Sequence, residues 1–131
     1  MAIARAKVFE YAVEIDRGGR MTIPGGAQIA PPEGWSPDHL LLAALVRCSI
    51  DAFASHARRA GHETDAAGSA QGRITKRESD GRYAFVEINV DVEATLTPRA
   101  GDPAELVAKA VRDCFVGASL TVDPDYTWRV S

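Results

Sequence analysis

Two cysteines make up the whole thiol inventory of this 131-residue chain, too few for a disulfide-stapled scaffold. A chain of this length builds its own core and fits a single domain, taken here as residues 1–131. Structural disulfides are rare in the cytosol. Cys48 and Cys114 are therefore either buried small hydrophobes or a reactive pair, and composition alone favours the first. A long hydrophobic run is also missing. The longest wholly apolar stretch, Leu40 to Val46, falls well short of the ~18 residues of a membrane span. Nor is there an excess of basic charge: 15 Lys and Arg stand among 18 Asp and Glu, with no basic stripe, so no nucleic-acid partner is expected. The first residues carry charge without the apolar run of a signal peptide, which makes the cytoplasm the expected location and a membrane no partner. His39, His56 and His62 lack the i, i+4 spacing of a helical metal pair and read as surface or capping residues, so neither metal nor cofactor is expected. What remains, 46% apolar and 25% charged, is the composition of an ordinary globular protein.

Residues 7–15 alternate, with Phe9, Tyr11, Val13 and Ile15 on one side, and predict a half-buried strand. Asp16-Arg17-Gly18-Gly19-Arg20 predicts a hairpin turn, and Met21 to Ile23 the start of the return strand. Residues 24–35, rich in proline and glycine, predict a loop. Ser36-Pro37 opens a helix, Ser as N-cap and Pro in the first turn, that runs to Ala60 before Gly61. At about 36 Å it is longer than the ~14 Å radius of gyration of a domain this size. Its segment Leu40 to Val46 is apolar all round, which predicts burial on every side. One small sheet covers one side only, and a second copy of the chain is the simplest cover for the other.

Residues 70–78 and 82–96 predict a second pair of strands around the turn Ser79-Asp80-Gly81. In the longer one Ala84, Val86, Ile88, Val90, Val92, Ala94 and Leu96 alternate with Phe85, Glu87, Asn89, Asp91, Glu93 and Thr95. Asp102-Pro103-Ala104-Glu105 predicts a capped second helix whose apolar stripe is Val107, Ala110, Val111, Cys114 and Ala118. Tyr126, Trp128 and Val130 alternate in a last strand. The order predicts an α+β fold, in which both cysteines can meet where the helices pack on one sheet. Trp35 and Trp128 read as the edge of a core or pocket.

Thiol chemistry needs a thiolate, and a free cysteine has a pKa near ~8.5, which burial raises. Lowering it to roughly 6 takes about 3.4 kcal/mol. One guanidinium at ~4 Å supplies on the order of 4 kcal/mol at an effective dielectric of ~20. The candidates are Arg17, Arg20 and Arg47, the last a poor one because neighbours on a helix point ~100° apart.

The segment Ser36-Pro37-Asp38-His39-Leu40-Leu41-Leu42-Ala43-Ala44-Leu45-Val46-Arg47-Cys48 resembles the first cysteine motif of the OsmC/Ohr family (osmotically inducible protein C and organic hydroperoxide resistance protein). That motif has Asn or Ser before Pro, an acidic residue, a stretch of small residues, and a cysteine ten positions after the acid. Ala110 to Ser119, around Cys114, is similar to the second motif. The resemblance covers nearly the whole chain. It implies an α+β fold of antiparallel sheets around a long central helix, in an intertwined homodimer. It also implies a thiol peroxidase acting on organic hydroperoxides. Cys48 would attack the peroxide and become a sulfenic acid, Cys114 would condense with it to a disulfide, and a dithiol, small or on a lipoylated protein, would reduce that bond. Asp38 stands where the family has Glu, and the family arginine best matches Arg17, with Arg20 as second choice.

Three departures mark a divergent branch: Asp38 is one methylene shorter than Glu, Phe115 follows Cys114 where many members have Pro, and Arg47 replaces a small residue. Along a straight helix Asp38 and Cys48 lie about 15 Å apart, so a bridging arginine, a bend or a partner chain must link them. Two other readings stand beside the peroxidase: an inactive relative that binds an apolar small molecule between its helices, and a thioesterase of the hotdog type using Asp51.

Overall fold

The long helix α1 spans Pro37–Arg59 in the computed structural model, which describes residues 6–131. Its start follows the expected chemistry with a change of partner. The Ser36 hydroxyl accepts from the His39 N–H, and His39 Nδ1 accepts from the Ser36 N–H at 3.1 Å, so a histidine closes the capping box where Glu or Gln usually does. At the other end Gly61 takes φ +90°. The His62 N–H then donates to the Ala57 carbonyl and that of Gly61 to Arg58, a Schellman stop.

One face of α1 is buried: Leu45, Ser49, Phe53 and Ala57, each four residues from the last. Burial of Leu40 to Val46 on every side is not what this chain shows. Of those residues only Leu45 is fully buried, and Ala43 and Ala44 are exposed. A single sheet reaches a single face. By length and composition α1 also meets the requirement for crossing a bilayer, as the core helix of a soluble protein does.

That sheet is made of β4 (Glu63–Lys76), β5 (Tyr83–Thr97) and β6 (Asp125–Val130), in that order. β4 and β5 pair antiparallel, whereas β6 runs parallel to β5, so the sheet is mixed and not wholly antiparallel as expected. Two helices intervene between β5 and β6, α2 (Ala104–Arg112) and α3 (Phe115–Ala118), and only such a crossover lets a strand return in the same direction.

β4 begins seven residues before the expected strand. Ala66 to Ala70 in its middle are all small residues, where α1 lies against it. A Cβ on Gly68 would stand 2.8 Å from the Asp91 carbonyl and 3.0 Å from the Val46 side chain. Near the hairpin the register steps from Arg73↔Glu87 to Ile74↔Phe85, leaving Val86 unpaired. This bulge reverses the alternation beyond it, and Phe85, expected on the wet face, packs on the core of Leu45, Ile88, Val90, Val92 and Cys114. A second cluster joins Phe53, Ala57, Ala94, Leu96 and Ala110. Trp128 packs on both, with its ring 5.3 Å from that of Phe53.

The expected second helix is two. α2 stops at Arg112, Asp113 caps it, and Cys114 is extended, at φ −77° and ψ 103°. Val111 and Ala118, assigned to the apolar stripe, are exposed. No capping box forms at the start of α2, whose N-cap is Pro103; the Asp102 carboxylate instead accepts from the Ala104 N–H at 3.0 Å.

Ser36–Ser131 form one compact unit, and the chain up to Trp35 forms another. The N-terminal unit holds three two-residue strands in one antiparallel sheet: β1 (Glu14–Ile15), β2 (Met21–Thr22) and β3 (Gln28–Ile29). The turn between β1 and β2 is the expected one, with Asp16 Oδ1 accepting from the Gly18 and Arg20 N–H groups at 2.9 Å. The strand over 7–15 is confined to its last two residues, and Phe9, Tyr11, Val13 and Ile15 are exposed. The loop expected over 24–35 contains β3. Sheets this short bury little.

Candidate functional site

Cys114 is the anchor. The break between α2 and α3 lets its side chain turn inward, where it is fully buried and where Sγ accepts from the Gly117 N–H at 3.4 Å. The sulfur thus caps the first turn of α3. A charged corner fixes the break from outside. Asp113 accepts from Arg112 at 2.9 Å through both oxygens, and its Oδ2 lies 2.7 Å from His56 Nε2 on α1. The Arg112 guanidinium, followed by His56, holds the Asp113 carboxyl well below the usual carboxylate range. His56, expected at the surface or a cap, is the half-buried link between α1 and this corner.

Cys48 comes from α1 and is half-buried. Both thiols are free, and Cys48 packs against the buried cluster that contains Cys114, with the backbone N–H groups of Val116 and Phe115 near its sulfur. Burial pushes the Cys48 thiol up; the Val116 amide opposes this, and the neighbouring Cys114 adds to it. The two cysteines that the sequence pairs are brought together.

Ser49 and Tyr126 complete the cluster. The Ser49 hydroxyl donates to the Leu45 carbonyl at 2.9 Å and lies 3.6 Å from Cys114 Sγ. Tyr126, on β6, brings its hydroxyl to the same side of Gly117 as the Cys114 sulfur, and burial followed by the charge of Cys114 raises its pKa. Gly117 makes room: a Cβ there would stand 2.8 Å from Tyr126 Oη and 3.4 Å from Cys114 Sγ. Sequence reasoning passed over all three. The available signal was Ser49, a hydroxyl set between Leu45 and Phe53 on the buried face of α1.

The remaining candidates lie apart from the thiols or in the other unit. Asp38 is exposed in the first turn of α1, where the helix dipole stabilises a carboxylate. Arg47 is turned to solvent and pairs with Asp51 at 3.6 Å, so it does not serve Cys48, and Asp51 is an exposed member of that pair. Arg17 and Arg20 occupy the exposed β1–β2 turn of the N-terminal unit. Trp35, expected at a core or pocket edge, is exposed. Among the described residues no group of three or more His, Cys, Asp or Glu gathers to hold a metal.

Comparison with known proteins gives this geometry a family. The profile of the OsmC-like protein family matches residues 30–129. An OsmC-like protein of unknown function from Vibrio cholerae shares the fold at a TM-score of 0.78 and 14% identity, over 92% of this chain and 99% of the other. The organic hydroperoxide resistance protein OhrB of Bacillus subtilis aligns at a TM-score of 0.55 and 22% identity, over 93% and 96% of the two chains. An organic hydroperoxide resistance protein from Legionella pneumophila aligns at 0.60 and 21%, over 96% and 99%. Among curated proteins there is no match.

Proposed function

Since the chain belongs to the OsmC-like family, and some structural neighbours are named organic hydroperoxide resistance proteins, we propose that it is a thiol peroxidase of organic hydroperoxides. The observation that carries this reading is the packing of Cys48 against the buried cluster of Cys114, two free thiols brought from α1 and the α2–α3 corner together. The half-buried Cys48 attacks the distal peroxide oxygen as a thiolate. The O–O bond breaks, the alcohol leaves with a proton, and Cys48 becomes a sulfenic acid. The Cys114 sulfur then attacks the Cys48 sulfur, the S–O bond breaks, and water leaves a disulfide. A dithiol, small or on a lipoylated protein, restores both thiols by exchange.

Arg17, or Arg20 in its place, holds the thiolate and the peroxide, and Asp38 orients that arginine. The working form is a cytoplasmic homodimer in which residues 1–131 act as one domain. Exposed Phe9, Tyr11, Val13 and Ile15 and the uncovered face of α1 support a second copy as their cover.

Consumption of cumene hydroperoxide with a dithiol tests the chemistry. Wild type should consume it and Cys48→Ser should not. Equal rates would overturn the proposal in favour of a non-catalytic protein that binds an apolar molecule. One equivalent of peroxide should leave a product two hydrogens lighter; a lasting gain of one oxygen would remove Cys114 as the resolving thiol. A monomer mass by light scattering would refute the dimer.

A further inference from the structure

The disulfide step just proposed makes a demand on Cys114 that the resemblance leaves unanswered. Cys114 must give up a proton to attack, yet it is fully buried. Its proton has to leave through a protein group. Gly117 faces it with an N–H, which donates and cannot accept. Cys48 is the electrophile at that moment. Two hydroxyls stand beside it, that of Ser49 at 3.6 Å and that of Tyr126 across Gly117.

Ser49 commits its only proton to the Leu45 carbonyl at 2.9 Å. Toward Cys114, 3.6 Å away, its oxygen is therefore the acceptor and the thiol the donor. Tyr126 is half-buried where Cys114 is not, so its phenol joins the enclosed sulfur to the outer part of the cluster. The side chain that would separate phenol from sulfur is absent at Gly117.

We propose that Ser49 and Tyr126 are catalytic residues of the second half-reaction, taking the thiol proton of Cys114 as its sulfur attacks Cys48. The attack forms the S–S bond and breaks the S–O bond of the sulfenic acid. The electron pair leaves with the oxygen as hydroxide. As Ser49 takes the thiol proton, its own turns from the Leu45 carbonyl to the neighbouring Tyr126 oxygen, and the phenol proton completes a water molecule. This assignment rests on the peroxidase reading only for its substrate, because any leaving group on Cys48 places the same demand on Cys114.

Ellman's reagent makes use of that independence. Cys48, the accessible thiol, displaces one thionitrobenzoate and becomes a mixed disulfide. Cys114 then displaces the second, a weakly basic leaving group that does not take the proton itself. In the full chain the two releases should appear as two phases at 412 nm. In Tyr126→Phe and in Ser49→Ala the second phase, measured against the first as internal reference, should slow by about a hundredfold, the low end of what a positioned proton-transfer group contributes. The second phase of the wild type should also slow in deuterium oxide, and that of the variants should lose this sensitivity, which a purely structural role would not alter. Second phases unchanged in both variants would overturn the assignment, and so would a wild type that never releases the second thionitrobenzoate. A wild type that shows both phases, slows as stated in the variants and yet consumes no peroxide would keep the assignment and remove the peroxidase.

Discussion

Cys48 and Cys114 belong to one cluster but have surroundings of opposite kind. Cys114 is enclosed, packed among Leu45, Ile88, Val90 and Val92, and ringed by the Ser49 and Tyr126 hydroxyls and the Gly117 amide. Cys48 is half-open and faces the amides of Val116 and Phe115. An open thiol meets a substrate; an enclosed one meets only its neighbour. The difference supports the proposed division of labour, attack by Cys48 and closure by Cys114. It also shows that removing the two sulfurs should produce different failures.

The largest expected effect is that difference. Cys48→Ser should abolish peroxide consumption. Cys114→Ser should keep a single turnover, accumulate a species one oxygen heavier, and fail to turn over with a dithiol. Rapid-quench mass spectrometry after one equivalent of peroxide checks both. Identical behaviour of the two variants would break the comparison.

Next comes pH. Below its pKa a thiol gains thiolate, and rate, about tenfold per pH unit. Burial, the first cause, and the neighbouring Cys114 both raise the pKa of Cys48. In Arg17→Gln, which leaves only the groups described around Cys48, the stopped-flow rate of peroxide reaction should keep climbing beyond the ordinary thiol value near ~8.5. The wild type should level off earlier, because the arginine assigned to the thiolate opposes burial. Superimposable profiles would exclude Arg17 and move the same experiment to Arg20.

A third test enters the contact itself. Gly117→Ala places a methyl 2.8 Å from Tyr126 Oη and 3.4 Å from Cys114 Sγ. Overpacking of this kind costs about 1–3 kcal/mol, measurable by denaturant unfolding. The second phase with Ellman's reagent should slow more than the first, since the methyl displaces the phenol from the enclosed sulfur and not from the open one.

What the sequence carried well was local. The helix from Ser36 to Gly61, the inward residues of β5 and β6, the first hairpin turn and the meeting of two thiols all follow from caps, alternation and motif spacing. What it did not carry depended on contacts between distant segments. Phe85 packs on the core because a bulge opposite Arg73 and Ile74 leaves Val86 unpaired and shifts the register. The early half of β4 is strand because β5 pairs with it and α1 demands small residues there. The break at Asp113 is hidden from the apolar stripe because it is made by Arg112, by His56 from α1 and by the sulfur of Cys114 itself. Ser49 and Tyr126 join the site for the same reason: each lies on an unremarkable element until β6 is laid beside β5.

The smallest expected effect concerns that same break, which shapes the enclosed side of the pair and leaves the open side alone. The Asp113 carboxyl is held below the ordinary carboxylate value first by Arg112 and then by His56, and Asp80 is lowered to about 2, first by Arg77. For a carboxylate lowered in the folded state, the unfolded chain takes up the proton first on acidification. Its stabilisation is thus present above the unfolded pKa near ~3.9 and is lost as pH falls through the folded value. Both groups face solvent, so the loss is small and shrinks with salt. The thermal midpoint of the wild type should therefore fall more between about pH 4.5 and 2.5 than that of Asp113→Asn. Over the same range the second phase with Ellman's reagent, started at neutral pH after acid exposure, should recover fully in both. A wild type no more acid-sensitive than Asp113→Asn would mean that the charged corner contributes nothing to the break, and that the Cys114 sulfur on the Gly117 amide holds it alone.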